Sequence, residues 1–134
     1  MEYSEKIAWL RRYREAVQRE ETLAQEIEAL RCQAARVTQA LTGMPGGGDG
    51  QAIPRAVERI ADAESRLASA YGTALAERSR VKDAIDTVPD PLRRDILTRR
   101  YILGQRWERI AADNDLVMRQ VFRLHHRAVE SLDL

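Results

Sequence analysis

Trp107-Glu-Arg-Ile-Ala-Ala-Asp-Asn-Asp-Leu-Val-Met-Arg-Gln-Val-Phe-Arg-Leu-His-His-Arg-Ala128 holds two apolar patterns of helical period on either side of a polar break. Ile110 and Ala111 mark the inward side of a short helix from about Arg106 to Asp113. Leu116, Val121, Leu124 and Ala128 mark that of a helix from about Val117 to Leu132. Asn114-Asp115 supplies a turn from residues that tolerate the left-handed backbone conformation. Ala111 is small where the two helices must cross closely. This spacing predicts a helix-turn-helix, a motif that presents its second helix to the major groove of DNA. Met118, Arg119, Gln120, Phe122, Arg123, His126 and Arg127 are left outward on that helix. Arginine reads guanine edges bidentately, glutamine reads adenine, and Phe122 suits a thymine methyl. Arg106 and Arg109, at the start of the preceding helix, stand where phosphate contacts occur. The same pattern also fits a plain helical hairpin with an arginine-rich surface.

Upstream, Asp90-Pro91 opens another helix, with aspartate as N-cap and proline at the first helical position. Leu92, Ile96, Leu97 and Tyr101 form its buried face, and Gly104 ends it. Residues 89–134 are thus expected to form a three-helix domain.

Residues 1–88 carry a different pattern, interrupted by Gly43-Met-Pro-Gly-Gly-Gly-Asp-Gly50. Before the glycines, Trp9, Tyr13, Ala16, Glu20, Leu23, Ile27, Leu30, Ala34, Val37 and Leu41 repeat at heptad steps. They predict one helix over about 3–42, about 60 Å long at the usual rise. After the glycines, the repeat runs through Ile53, Val57, Ile60, Glu64, Leu67, Tyr71, Ala74, Arg78, Val81, Ile85 and Val88. Folding back at about 45–52 sets Leu41 against Val57, Val37 against Ile60 and Leu30 against Leu67. Ile27 then meets Tyr71, Leu23 meets Ala74, Tyr13 meets Ile85, and Trp9 meets Val88. Glu20 falls opposite Arg78, a pairing that would penalise wrong registers. Glu64 is left without a partner, opposite Ala34. The expected fold is therefore all-α: a long antiparallel coiled-coil hairpin over 1–88, then the helix-turn-helix domain. Leu10, Val17, Ala24, Ala56, Ala63 and Ala70 widen the apolar face and predict self-association into a bundle.

Net charge is only +1, but residues 93–127 carry nine arginines against four acids. That local excess of five positive charges suits phosphate contact. Cys32 is the single cysteine, which rules out an internal disulfide and suits a reducing compartment. It lies on the outer face of the first helix. No signal-peptide pattern opens the sequence, and no apolar run approaches the roughly 18 residues that a membrane helix needs. A cytoplasmic protein without membrane contact is expected. The glycine stretch lacks a following Gly-Lys-Ser/Thr and does not follow a strand, so it reads as a turn rather than a phosphate cradle. His125 and His126 are adjacent and cannot share one ion on a helix. No nucleophile–base pair or carboxylate cluster stands out, so neither an enzyme nor a cofactor is expected.

Residues 88–132 resemble the fourth conserved region of bacterial sigma factors. The matching residues are Val88-Pro89, Leu97-Thr-Arg-Arg-Tyr101, Gly104, Trp107-Glu-Arg-Ile-Ala111 and Leu124-His-His-Arg-Ala-Val-Glu-Ser-Leu132. With Trp9-Leu-Arg-Arg-Tyr-Arg-Glu15 and Leu41-Thr-Gly-Met-Pro-Gly-Gly-Gly48, the whole chain resembles small phage and prophage proteins similar to late transcriptional regulators of the ArpU and RinA type. The resemblance implies a regulator in a bacterial host, acting on double-stranded promoter DNA or on RNA polymerase. It places Met118, Arg119, Phe122 and Arg123 toward bases. Two departures stand out: Asp115 replaces the turn glycine, and Val117 replaces the Ser or Thr cap of the recognition helix. They favour a second reading, a protein–protein module with a vestigial helix-turn-helix, such as a phage adaptor, a host-factor inhibitor or a packaging component.

Overall fold

A computed structural model describes the backbone of residues 1–43 and 50–134, and the side chains of residues 1–40 and 50–134. The fold is all-α, with no strand among the described residues. Helices α1 (Tyr3–Leu10), α2 (Arg12–Gly43) and α3 (Ala52–Asp86) come first. They are followed by α4 (Pro91–Leu97), a π-turn (Thr98–Ile102), α5 (Trp107–Asp113) and α6 (Met118–Ser131). The centre of the glycine-rich turn, most of the Leu41–Gly48 motif, and Leu41's layer with Val57 lie outside the described residues. The chain divides into two compact units, residues 1–17 with 73–134, and residues 18–72.

In the first unit, α1 and α2 meet at Arg11, which stays right-handed helical at φ −74°, ψ −12°. The single helix expected over 3–42 is instead a bent pair. Leu10, Val81, Ile85 and Val88 form one core with Leu97, Tyr101, Ile102 and the inner side of α6. Trp9 and Tyr13 pack on this core, in keeping with the layers expected for them with Val88 and Ile85. The boundary expected between residues 88 and 89 falls inside this core, so α4, the π-turn and α6 share an interior with the hairpin's end. Lys6 Nζ donates to the Glu130 and Leu132 carbonyls, at 2.9 and 2.6 Å, and so caps the C-terminus of α6 from α1. A second cluster of Ile96, Ile110, Ala111 and Val121 joins α4, α5 and α6.

Asp90 occupies the N-cap position of α4, with Pro91 at the first helical position. Its carboxylate makes no capping bond and instead pairs with Arg93 at 3.5 Å. The helix does not run straight to Gly104. Its last turn widens, with Leu103 N–H bonded to Thr98 O and Gln105 N–H to Arg99 O. Gly104 closes it at φ +68°, where a Cβ would lie 2.5 Å from the Arg14 guanidinium carbon.

In the second unit, the α2 stripe is as expected: Ile27 is buried, and Leu23, Leu30, Ala34 and Val37 are half-buried. The α3 stripe is corrected. Ile60 and Leu67 face inward, but their partners in the seam are Ala56, Ala63 and Ala70 rather than Val57, Glu64 and Tyr71. Ala63 is 4% exposed, whereas Tyr71 is 55% and Val57 60% exposed. Ala52 and Ala56 line a shallow groove of about 200 Å³ with Leu30, Ala34 and Val37. Burying the charge of Glu64 costs more than leaving aliphatic surface in water. Alanine also lets helix axes approach closely. Glu64 is not partnerless, since it pairs with Arg31 at 2.9 Å. Glu20 is half-buried and Arg78 exposed, and neither takes part in an ion pair among the described residues.

Ala63→Leu should therefore overpack the α2–α3 seam and cost about 1–3 kcal/mol. Tyr71→Ala should change stability by about 0.5 kcal/mol or less. Urea unfolding of both variants checks the face, and the reverse order of effects would restore the larger stripe.

Candidate functional site

The α5–α6 turn solves the absence of glycine by local hydrogen bonding. Asp115 adopts φ +53°, and its N–H bonds to Ala112 O while Leu116 N–H bonds to Ala111 O. Those two bonds, with Leu116 and Ala111 in the same apolar cluster, are the Schellman arrangement with aspartate in the left-handed position. Asn114 Nδ2 also donates to Ile110 O at 3.0 Å. The Asp115 departure thus leaves the helix-turn-helix geometry intact. At the next cap, Gln120 Oε1 accepts the Val117 N–H at 3.1 Å. The reciprocal bond is missing, because valine has no acceptor.

α6 is placed as expected, Met118–Ser131, with Val121 and Ala128 buried. His125, Val129 and Leu132 are buried as well. Seven of the outward assignments on α6 divide into two groups. Arg119, Arg123 and Arg127 are exposed, stand at i, i+4 and i+8, and make no hydrogen bond or ion pair among the described residues. The other four are engaged. Met118 packs against the second core cluster rather than pointing outward. Gln120 is held by Val117. Phe122 meets the Trp107 ring edge-on at 5.3 Å. His126 bonds to Glu130 at 2.9 Å and lies 4.4 Å from the Tyr3 ring. On α5, Arg106 is the exposed N-cap residue, and Arg109 is exposed but lies 3.5 Å from Asp113.

Asp113 is largely neutralised. Arg99 Nη1 donates to it at 2.8 Å while Arg99 Nε donates to Asp95 at 2.7 Å. The hydrogen bond to Asp95, ahead of the other contributions, raises the Arg99 pKa above its ordinary value. Three arginines spaced a turn apart repel one another, each like-charge pair costing about 0.2–0.5 kcal/mol. No ion pair among the described residues relieves that repulsion.

On the other flank of α6 the side chains converge. Tyr101 and His125 share a buried hydrogen bond of 2.7 Å between the hydroxyl and Nε2. Trp107 stands edge-on to His125 at 4.8 Å, and the Arg100 guanidinium carbon lies 4.4 Å from the Trp107 ring centroid. Burial, then the charges of Arg100, His126 and Arg11, lowers the His125 pKa to about 4. Burial pushes Tyr101 up to about 12. The apolar period Val121–His125–Ala128–Val129 carried the signal for His125. No sequence pattern linked α1 to this place.

No group of three His, Cys, Asp or Glu side chains is placed to hold a metal among the described residues, and Cys32 is a free, exposed thiol. No helix is long and apolar enough to cross a membrane among the described residues. No protein-family model matches the chain, and no curated protein or solved structure is significantly similar to it.

Two outcomes follow. His125 is neutral in the folded protein, whereas an unfolded chain protonates it near pH 6.5. Its contribution to stability is therefore intact above pH 6.5, declines as the pH falls, and is lost by about pH 4, up to about 3 kcal/mol. Urea melts from pH 7 to 4 should show His125→Gln losing less stability than the wild type over that window; parallel profiles would refute the assignment. Val117→Ser adds the missing acceptor and should stabilise the fold by about 0.5–1 kcal/mol, read from the same melts.

Proposed function

We propose that the chain is a phage-type transcriptional regulator that binds double-stranded promoter DNA through a sigma region 4-like helix-turn-helix. The observation that carries this reading is the row Arg119, Arg123, Arg127 on the second helix of a helix-turn-helix, unpaired among the described residues. Arg106, at the N-cap of the first helix, is a candidate phosphate contact beside it. The Schellman turn at Asp115 supports the reading by removing one objection to it. On this reading the three arginines lead the base-facing set, since Met118 packs on the core and Gln120, Phe122 and His126, though exposed, each already contact a neighbouring side chain or backbone. The protein acts as a binder in the host cytoplasm, with no catalytic step or cofactor.

Self-association through the hairpin fits the same reading. The alanines face α2, so the surface left for a second copy is the larger one, with exposed Ile53, Val57 and Tyr71. A dimer would place two recognition helices on half-sites one helical turn apart. RNA polymerase is a further partner on this reading, since Leu103, Val117 and Phe122 are exposed on the same unit. Those three side chains also favour the alternative, a protein-binding module that has lost its DNA contacts.

Arg119→Ala with Arg123→Ala should weaken binding to promoter DNA by at least about tenfold. Each arginine that contacts a phosphate should also lower the magnitude of the log–log salt slope by about 0.9. Fluorescence polarisation over a salt series reads both. Unchanged affinity and slope, with early elution from heparin at about 0.15 M salt, would transfer the proposal to the protein-binding module.

A further inference from the structure

α1, the π-turn, α5 and α6 line an open cleft of about 410 Å³ that includes Phe122 and His126 of α6 but none of its three arginines. Its wall holds two guanidiniums, Arg11 and Arg100, and the rings of Tyr3, Trp107, Phe122 and His126, with no carboxylate among the lining residues. Arg11 makes no side-chain hydrogen bond or ion pair among the described residues. Arg100 spends one N–H on the Gln105 carbonyl, at 3.0 Å, and has no carboxylate partner. Glu130 is the near acid, and His126 holds it at 2.9 Å. Two guanidiniums without an ion-pair partner among the described residues thus line one cleft, with Glu130 as the near acid, beside aromatic rings that favour flat π-systems. Both guanidiniums act on His125 at the cleft floor, which agrees with a positive potential there. The volume lies within the range of small-ligand sites, roughly 300–1,000 Å³.

We propose that this cleft binds a small anion built on a flat aromatic ring, with the ring against Phe122, Tyr3 and His126 and the carboxylate or phosphate between Arg11 and Arg100. Two sources share this chemistry, a nucleoside monophosphate and an aryl carboxylate. The site draws on neither Arg119, Arg123 nor Arg127, so it stands or falls separately from DNA binding. An arginine forms bidentate, charge-assisted bonds with either head group. The ring adds stacking that an inorganic ion cannot provide.

Calorimetric titration of the full chain with adenosine monophosphate and with indole-3-carboxylate tests the proposal, against inorganic phosphate and adenosine as the separate halves. The ring-bearing anion of the right source should bind at least about tenfold more tightly than either half, and which of the two binds identifies the source. Arg11→Gln should weaken that binding at least about fivefold while helix content by circular dichroism is unchanged. Should Arg11→Gln fail to fold, Phe122→Ala carries the same test on an exposed ring. Binding of both ring-bearing anions no tighter than inorganic phosphate would overturn the proposal. So would tight binding that the folded variants leave unchanged.

Discussion

The core around Leu10, Val81, Ile85 and Val88 is the constraint on which the rest depends. α4 and α5 have seven residues each and α6 fourteen. Helices this short are marginal by themselves and need tertiary packing. Their second cluster, Ile96, Ile110, Ala111 and Val121, is small. Tyr101 and Ile102 of the π-turn and Ala128 and Val129 of α6 are buried instead in the larger core with α1 and the end of α3. Lys6 and Arg94 fix the same junction by polar contacts, Lys6 to the end of α6 and Arg94 to the Val88 carbonyl. The helix-turn-helix is therefore held in place by the hairpin's own end.

Burial and contacts also divide α6 into two flanks. One flank carries the unpaired row of Arg119, Arg123 and Arg127, and the other carries Phe122 and His126, turned into an aromatic cluster. The π-turn contributes to this division. It sends Arg99 to Asp95 and Asp113 and its neighbour Arg100 onto Trp107. A regular α-helix separates adjacent side chains by about 100°; widening the turn lets both Tyr101 and Ile102 reach the core while both arginines remain useful.

Much of this was legible from periodicity. The all-α class, the α5 and α6 spans, the turn at Asn114-Asp115 and the α2 stripe follow from which residues are apolar at helical steps. The α3 face was not legible, because Ile60, Leu67 and Ala74 fit two seams, one completed by alanines and one by Val57, Glu64 and Tyr71. Apolar content favours the larger set; the charge of Glu64 and the closeness of alanine packing decide for the smaller. The widened turn at 98–102 leaves no mark in a pattern of hydrophobic residues. The outward side of α6 was partly legible: periodicity put the three arginines in solvent, but Phe122 and His126 found partners in Trp107, Tyr3 and Glu130, of which Trp107 and Tyr3 are brought near only by the folded arrangement. The placement of α1 against α6 rests on contacts more than a hundred residues apart in sequence, such as Lys6 to Glu130 at a separation of 124, which no local pattern encodes.

The dependence of the helix-turn-helix on the hairpin's end is most directly tested on the isolated segment 89–134. Its amide proton–nitrogen correlation spectrum should be poorly dispersed, and its thermal melt should lack a cooperative transition, while the full chain shows both dispersion and cooperativity. A well-dispersed spectrum with a cooperative melt from the segment alone would contradict the account, since it would show that the short helices need no interior beyond their own.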